Sequence, residues 1–173
     1  MSRSHGNCIA DSLQLSLGYA DRLLAGIGAD RFARFAAAGP TTVESNHPAF
    51  VLGHLAIYTP RIVALLGGTP TPMPERFTAV FSKDEKCVDD TAGTEYPPMA
   101  EVVEVFRRGC TEAIAALRAA PDEVLQQANP MKGQMAELFP SIGSLTGFLA
   151  GGHMMMHLGQ ISAWRRIEGL GAA

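Results

Sequence analysis

Apolar residues recur at helical spacing in four stretches of the chain, residues 7–28, 47–68, 98–120 and 141–168. In each stretch they fall at intervals of three and four residues, so that they line one face of an α-helix. No other segment carries a convincing strand pattern. The pattern therefore predicts an all-α fold, in which four helices bury their apolar faces against one another as a four-helix bundle.

Residues that cap or break helices indicate where these stretches begin and end. Asn7 and Ser141 are predicted to cap the first and the fourth helix, because their side-chain oxygens can accept from first-turn N–H groups. Asn46 is predicted to cap the second helix, with Pro48 in the first turn, where a missing N–H does no harm. Pro60 lies inside the same pattern, and its ring clashes with the carbonyl four residues earlier. We therefore expect a kink or a break at Pro60.

The connections between the helices differ in length. Residues 69–98 contain five prolines and hold no period, and we expect them to form a long crossover connection between helices 2 and 3. Three apolar residues could pack this crossover onto the bundle: Phe77, Val80 and Phe81. Residues 31–40 are predicted to add a short helical turn before a polar loop at residues 41–46. Residues 122–140 are predicted to be irregular, with one or two helical turns.

Length and composition narrow the class of protein. A chain of 173 residues is about one domain long, so we expect a single domain over residues 1–173. Apolar residues make up 47% of the chain and charged residues only 18%, which favours a large core over disorder. The formal net charge of −3 argues against a nucleic-acid-binding protein, which would need a basic surface.

The N-terminus and the cysteines do not indicate secretion. No apolar run follows Arg3, so no secretory signal is expected, and no uninterrupted apolar stretch reaches the length of a membrane span. The three cysteines, Cys8, Cys87 and Cys110, form no Cys-x-x-Cys pair. We therefore expect reduced thiols in a reducing compartment, with Cys110 in the core.

The candidate chemistry lies in the histidines of the second and fourth helices. His153 and His157 are four residues apart, so their side chains leave a helix about 40° from each other, on one face. Leu149, Gln160 and Trp164 share that face, which indicates that it points inward. The same spacing occurs in helix-borne transition-metal sites. A methionine follows the first histidine where the zinc-peptidase motif has a glutamate, so a peptidase of that class is not expected.

His54 is the candidate for a third ligand. It lies in the middle of the second helix, on a stripe formed by Phe50, Val51, Tyr58 and Leu65. Interior imidazoles need partners, and a divalent metal can satisfy several of them at once. Histidines that form hydrogen bonds within the core are the alternative interpretation. We expect His5 to lie in the N-terminal tail, and His47 to be a capping or surface residue at the start of the second helix.

Two segments resemble a known family. The first is Leu52-Gly53-His54-Leu55 on the second helix. The second is His153-x-x-x-His157-x-Gly159-Gln160-Ile161 on the last helix, followed by Arg165 and Arg166. Both are similar to the DinB/YfiT-like superfamily of metal-dependent four-helix-bundle proteins. The resemblance covers most of the chain, since the helix order and the long middle connection also fit. It implies that His54, His153 and His157 bind a divalent metal, zinc or nickel above all.

The resemblance also implies a range of activities. Members of this superfamily are bacterial, cytoplasmic and often dimeric, and characterised ones include thiol-dependent S-transferases and a maleylpyruvate isomerase. These enzymes use low-molecular-weight thiols such as mycothiol or bacillithiol. We therefore expect a cytoplasmic homodimer with a small-molecule substrate, and no nucleic-acid or membrane partner. Residues 69–98 match no thiol-binding pattern, so the specific activity does not carry over.

Two classes of function remain open at this point. In the first, the metal activates a thiol cosubstrate or a water for transfer to, or hydrolysis of, a small molecule. Gln160 and Tyr58 would then orient a ligand histidine or contact the substrate, although Gln160 could equally be a helix-packing amide. Arg165 and Arg166 could pair with an anionic substrate, but solvated or interface arginines are the favoured interpretation. In the second class, the bundle binds a metal or a small molecule without catalysis, in a stress response, or serves as a dimeric interaction module.

Overall fold

The computed structural model describes residues 4–173, and it is mostly helical. Helices hold 58% of the residues, well above the roughly one-third of an average globular protein. One two-stranded sheet is present. The prediction of an all-α chain is therefore confirmed apart from this small sheet. We expected no secretory signal at the N-terminus. Residues 1–3, where that segment starts, lie outside the described residues.

The elements follow one another in a simple order. The helices are α1 His5–Leu24, α2 Pro48–Ala56, α3 Thr59–Leu65, α4 Glu75–Phe81, α5 Met99–Ala119, α6 Asp122–Leu125, α7 Gln134–Leu138, α8 Ile142–Gly147 and α9 His153–Ile167. A π-helical turn, Phe148–Gly152, joins α8 to α9. The strands β1 Ala36–Ala38 and β2 Thr41–Val43 pair antiparallel, with Ala36 opposite Val43.

Helix α5 lies at the centre of the packing. It contacts α1, α2 and α3, while α9 contacts α1 and α2. The core between them is formed by large side chains that are almost completely buried, among them Leu13, Leu52, Phe106, Leu117 and Trp164. Cys110 is also fully buried there, as predicted. The apolar stripes read from the sequence are therefore the faces that pack together.

The helix starts differ from the prediction at two of three positions. The cap of α1 is Ser4, whose hydroxyl accepts from the backbone N–H of Asn7 at 3.2 Å, so Asn7 lies inside the helix. His5 is consequently the first residue of α1 and does not lie in a tail. Ser141 caps α8 as predicted, in a reciprocal capping box with Ser144. Helix α1 also ends earlier than predicted, and Gly26 takes the positive φ of the turn.

His47 caps α2 in place of the predicted Asn46. Its Nδ1 accepts from the backbone N–H of Phe50 at 3.2 Å, and its Nε2 donates to the carbonyl of Val88 at 3.0 Å. Both ring nitrogens are therefore used in one neutral tautomer. The side chain is fully buried, so the expectation of a surface residue is wrong although that of a capping residue is confirmed.

Pro60 breaks the second helical stretch, as predicted. Helix α2 ends at Ala56, and α3 begins at Thr59 with the proline in its first turn. The Thr59 hydroxyl donates to the Ala56 carbonyl at 2.9 Å, which is the carbonyl that the proline leaves without its helical N–H donor. The break is thus satisfied locally by a side chain.

Within the described residues, the segment Pro48–Leu65 is long and apolar enough to cross a membrane, with a mean hydropathy of 1.3. However, 67% of this segment is buried inside the fold. Core helices pass the same length and hydropathy criteria, so the segment is weak evidence for a membrane span.

The predictions for the connections are partly wrong. Residues 36–43 form the hairpin of β1 and β2 instead of the expected helical turn and loop, because Gly39 takes a positive φ at the turn. The carboxylate of Glu168 holds this hairpin by accepting from the backbone N–H of Ala37 at 2.8 Å. Residues 69–98 are mostly irregular, as expected, but contain α4, whose Phe77 and Phe81 are fully buried.

Arg165 is neither solvated nor at an interface, which corrects the sequence interpretation. Its side chain is buried and its guanidinium donates to the carbonyls of Leu23, Ala25 and Leu170. It therefore satisfies carbonyls at the C-terminus of α1. Arg166 bonds to Ser162 one turn earlier on its own helix.

Gly53 permits the closest packing of α4 on α2, and this can be tested. A Cβ at Gly53 would overlap the fully buried ring of Phe81. We predict that Gly53→Ala lowers the free energy of unfolding by about 1–3 kcal/mol, measured by urea denaturation. Gly147→Ala is the control, because Gly147 is helical and a Cβ there meets nothing within 4 Å. A Gly53→Ala variant as stable as the parent would contradict the packing.

Burial lowers the pKa of His47 to about 4. Below pH 6.5, His47 is therefore protonated in the unfolded chain but still neutral in the folded chain. The free energy of unfolding consequently decreases as the pH falls from 6.5 towards 4. The full loss is roughly 3 kcal/mol. We predict that His47→Asn flattens the dependence of unfolding free energy on pH in this window. Equal slopes in parent and His47→Asn would contradict the assignment.

Candidate metal centre

Three histidines converge between α2 and α9. The ring centroid of His54 lies 5.5 Å from that of His153 and 4.7 Å from that of His157, and the last two rings are 4.7 Å apart. One nitrogen from each ring lies within 4.8 Å of the others. The structure thus brings together the three histidines that the sequence singled out, and it leaves His5 and His47 outside this cluster.

Local geometry explains the convergence. His153 and His157 are one helical turn apart on α9, so both rings project from the face that packs against α2. The π-helical turn Phe148–Gly152 ends directly before His153. Its wider turn changes the register between α8 and α9, and such turns recur at functional sites. The sequence analysis missed this feature, for which the only local signal is the Gly151-Gly152 pair.

His54 is held by the end of α4. Its Nδ1 lies 2.9 Å from the carbonyl oxygen of Phe81, the last residue of that helix. A carbonyl can only accept, so Nδ1 carries the proton and Nε2 keeps a free lone pair. This is the arrangement found in metal-binding histidines, whose second nitrogen is oriented by a backbone carbonyl.

His157 is oriented by Gln160. Its Nδ1 lies 3.2 Å from the side-chain oxygen of Gln160, and the same oxygen accepts from the amide of Asn46 at 3.1 Å. Since an amide oxygen only accepts, Nδ1 of His157 is protonated and Nε2 keeps its lone pair. Gln160 is exposed and contacts the residue before His47, so it links the cluster to the start of α2.

His153 has a buried nitrogen without a partner. The ring is 8% exposed, and Nδ1 makes no hydrogen bond within the described residues. Leaving a buried polar atom unpaired costs about 1–3 kcal/mol, which is uncommon in a folded core. A ligand that binds this nitrogen would remove that cost.

The electrostatics keep the three imidazoles neutral. Burial, together with the neighbouring charges of His157, His54 and Arg61, lowers the pKa of His153 to about 4. Burial is also the main cause of the lowered pKa of His54 and of His157. Neutral imidazole is the form that binds metals, so the cluster is in the ligating state at neutral pH.

The donor set fits a divalent transition metal. Zinc with nitrogen ligands at about 2.0–2.1 Å in tetrahedral geometry separates its donors by roughly 3.4 Å, so small side-chain rotations would close the observed spacing of up to 4.8 Å. His54 and His157 present free Nε2 lone pairs, and each of the three rings offers one nitrogen within 4.8 Å of the others. Three protein ligands leave further metal positions open, as in catalytic sites.

A cavity of about 800 Å³ opens beside the cluster. Its wall is mostly apolar, and its polar members are Tyr58, Arg61, Lys83 and His153. The Tyr58 ring lies 5.0 Å from the His54 ring and 4.7 Å from the His153 ring, so it packs against the cluster at the cavity wall. The sequence analysis did not identify Arg61, although it lies seven residues after His54 on the same predicted face. Arg165 and Arg166 do not line this cavity.

Fold and cluster together define a class: a helical protein whose three converging histidines could hold a metal ion. The chain belongs to the DinB superfamily, whose family model matches residues 14–161, a range that contains all three histidines. The resemblance found in the sequence is thereby confirmed. No functionally curated protein and no solved structure matches this chain.

The partnerless nitrogen of His153 leads to a prediction for the metal-free protein. We expect His153→Leu to raise the free energy of unfolding by about 1 kcal/mol in EDTA, because it removes a buried atom without a hydrogen bond. His47→Leu serves as the matched control and should be destabilising, since it removes two hydrogen bonds. Urea denaturation of the three proteins measures this, and a clear loss of stability in His153→Leu would contradict it.

Proposed function

We propose that this chain is a metal-dependent enzyme in which His54, His153 and His157 hold a divalent ion, zinc or nickel, beside a cavity for a small molecule. The observation that carries the proposal is the approach of three neutral imidazoles to within 4.8 Å at the edge of an apolar cavity. The proposal includes a four-helix bundle. Its four members are α1, the pair α2 and α3, α5, and the pair α8 and α9. The homodimer and the cytoplasmic location stay predictions from the resemblance.

When bound, a divalent ion supplies Lewis acidity, which lowers the pKa of a thiol or a water and makes it a nucleophile at neutral pH. The protein's own groups prepare this site. The carbonyl of Phe81 and the amide oxygen of Gln160 fix the protonated nitrogens of His54 and His157, so that both rings are held in one tautomer. Tyr58 lies beside the His54 ring and lines the cavity together with His153, so it can contact a substrate there.

One feature favours a thiol over a water as the nucleophile. No carboxylate lines the cavity in the described part of the chain, so a water would have no acidic side chain as its general base. The chain's own cysteines do not offer a thiol, because Cys87 and Cys110 are buried and Cys8 lies outside the cavity. Burial also raises the pKa of Cys87 to about 11. The thiol is therefore supplied by a cosubstrate.

The proposed reaction is the transfer of this thiol to an electrophilic carbon. The thiol gives up its proton to solvent, and its sulfur forms a bond to the carbon. The bond from that carbon to the leaving group breaks, and the leaving group departs with the bonding electron pair. The apolar cavity positions the electrophile.

The ligand set is tested by metal analysis. We predict about one zinc or nickel ion per chain after dialysis, and a loss of most of this metal in His54→Ala and His153→Ala. His5→Ala is the control, since this exposed histidine lies outside the cluster. Elemental mass spectrometry gives the stoichiometry. Full metal content in His54→Ala would overturn the ligand assignment.

Catalysis is tested with metal-loaded protein, bacillithiol or mycothiol, and 1-chloro-2,4-dinitrobenzene as the electrophile. Thioether formation with release of chloride should depend on His54 and should be absent in the metal-free protein. If the metal-loaded protein turns over neither thiol, the transferase proposal fails. The cluster and the cavity would then serve the non-catalytic alternative, a metal- or small-molecule-binding protein.

A further inference from the structure

The cavity beside the three histidines carries an uncompensated positive charge. Its described lining contains two cationic side chains, Arg61 and Lys83, and no acidic one. Lys83 approaches Asp84 at 3.8 Å, but both side chains are at least three-quarters exposed. Such a pair is worth little, so it leaves the charge of Lys83 available to a ligand.

Arg61 is exposed and contacts an aromatic ring, without an ion pair among the described residues. Its guanidinium lies over the ring of Tyr58, with Cζ 4.6 Å from the ring centroid. No carboxylate within the described residues forms a salt bridge with it. Its charge contributes to the lowered pKa of both His54 and His153, so it acts close to the cluster. The aromatic contact orients the guanidinium, while its donors stay free for an oxyanion.

The opposite wall of the cavity is apolar and partly rigid. Phe148 stacks on Phe139 with ring centroids 4.5 Å apart and an interplanar angle of 22°, which gives one flat aromatic surface. Leu145 and Leu149 are buried beside it, and Met135 adds a flexible thioether. This wall suits an aliphatic or aromatic body, and the volume of about 800 Å³ lies within the usual range for small-molecule sites.

We propose that this cavity binds a small amphipathic carboxylate, with its apolar body on the Phe148 wall and its carboxylate on Arg61 and Lys83. The proposal deepens and rests on the proposed function, since it defines the substrate class of the same site. A planar guanidinium matches a carboxylate in a two-point hydrogen bond. A neutral ligand of the same shape would cover Arg61 without compensating its charge, so the site should discriminate against it.

Binding of 4-phenylbutyrate and of its neutral isostere 4-phenylbutyramide tests this inference. Isothermal titration calorimetry is performed on the metal-loaded protein and again after EDTA treatment. We expect the carboxylate to bind about tenfold more tightly than the amide in both forms, because a charge-assisted bidentate contact is made only by the carboxylate. Arg61→Gln should bring the two affinities to within about twofold, and Arg61→Lys should restore part of the preference.

Arg22→Gln is the matched control. Arg22 also lies over a tyrosine, with Cζ 5.5 Å from the Tyr19 ring centroid, but outside the cavity. It should keep the full preference. Equal binding of the two ligands, binding of neither, or a preference unchanged in Arg61→Gln would each overturn the inference. If Arg61→Gln keeps the preference only when metal is present, the carboxylate binds the metal instead of Arg61.

The two proposals fail separately. A preference for the carboxylate in the EDTA-treated protein, together with no stoichiometric metal in the protein as purified, would support the carboxylate site and sink the metal enzyme. Stoichiometric metal that depends on His54, together with equal affinities for carboxylate and amide, would sink the carboxylate site alone.

Discussion

The candidate site depends on three neighbouring imidazoles at the apolar core, of which His54 and His153 are buried and His157 is partly buried. Such groups stay neutral because burial and mutual repulsion penalise their charged forms, and each neutral ring must still find a donor and an acceptor. Two rings of the cluster have their N–H satisfied, by the Phe81 carbonyl and by the Gln160 amide oxygen. The buried Nδ1 of His153 has no hydrogen-bond partner within the described residues. A ligand that binds this nitrogen would satisfy it, which is a physical reason to connect this cluster with a metal ion.

Much of the surrounding structure serves this requirement. The carbonyl of Phe81 reaches His54 because α4 packs tightly on α2, and that contact needs the absence of a side chain at Gly53. Two departures from regular helix flank the cluster: the break at Pro60 after α2 and the π-helical turn before His153. Irregularities of this kind are costly unless the surroundings compensate them, and the Thr59 hydroxyl does so at the first. They place Arg61 and Phe148 on the cavity that adjoins the histidines.

Membership of the DinB superfamily gives the class of this chain. The three histidines lie within the matched range, and so do Arg61 and Phe148 on the cavity. The apolar wall at Phe148 and the unpaired guanidinium at Arg61 belong to what a substrate would meet beyond the cluster. A site of this form separates two tasks, since the histidines would supply reactivity and the cavity would supply selection.

The sequence by itself determined the features that depend on local rules. Helical periodicity located the long helices, proline sterics predicted the break at Pro60, and the spacing of His153 and His157 predicted a shared face. Only the tertiary structure decided the hairpin at residues 36–43, which Glu168 holds from 131 residues away, and the burial of Arg165, whose carbonyl partner Leu23 is 142 residues away. The same is true of the buried His47. These outcomes depend on which distant groups meet after the helices pack, and no local pattern in the chain encodes such a meeting.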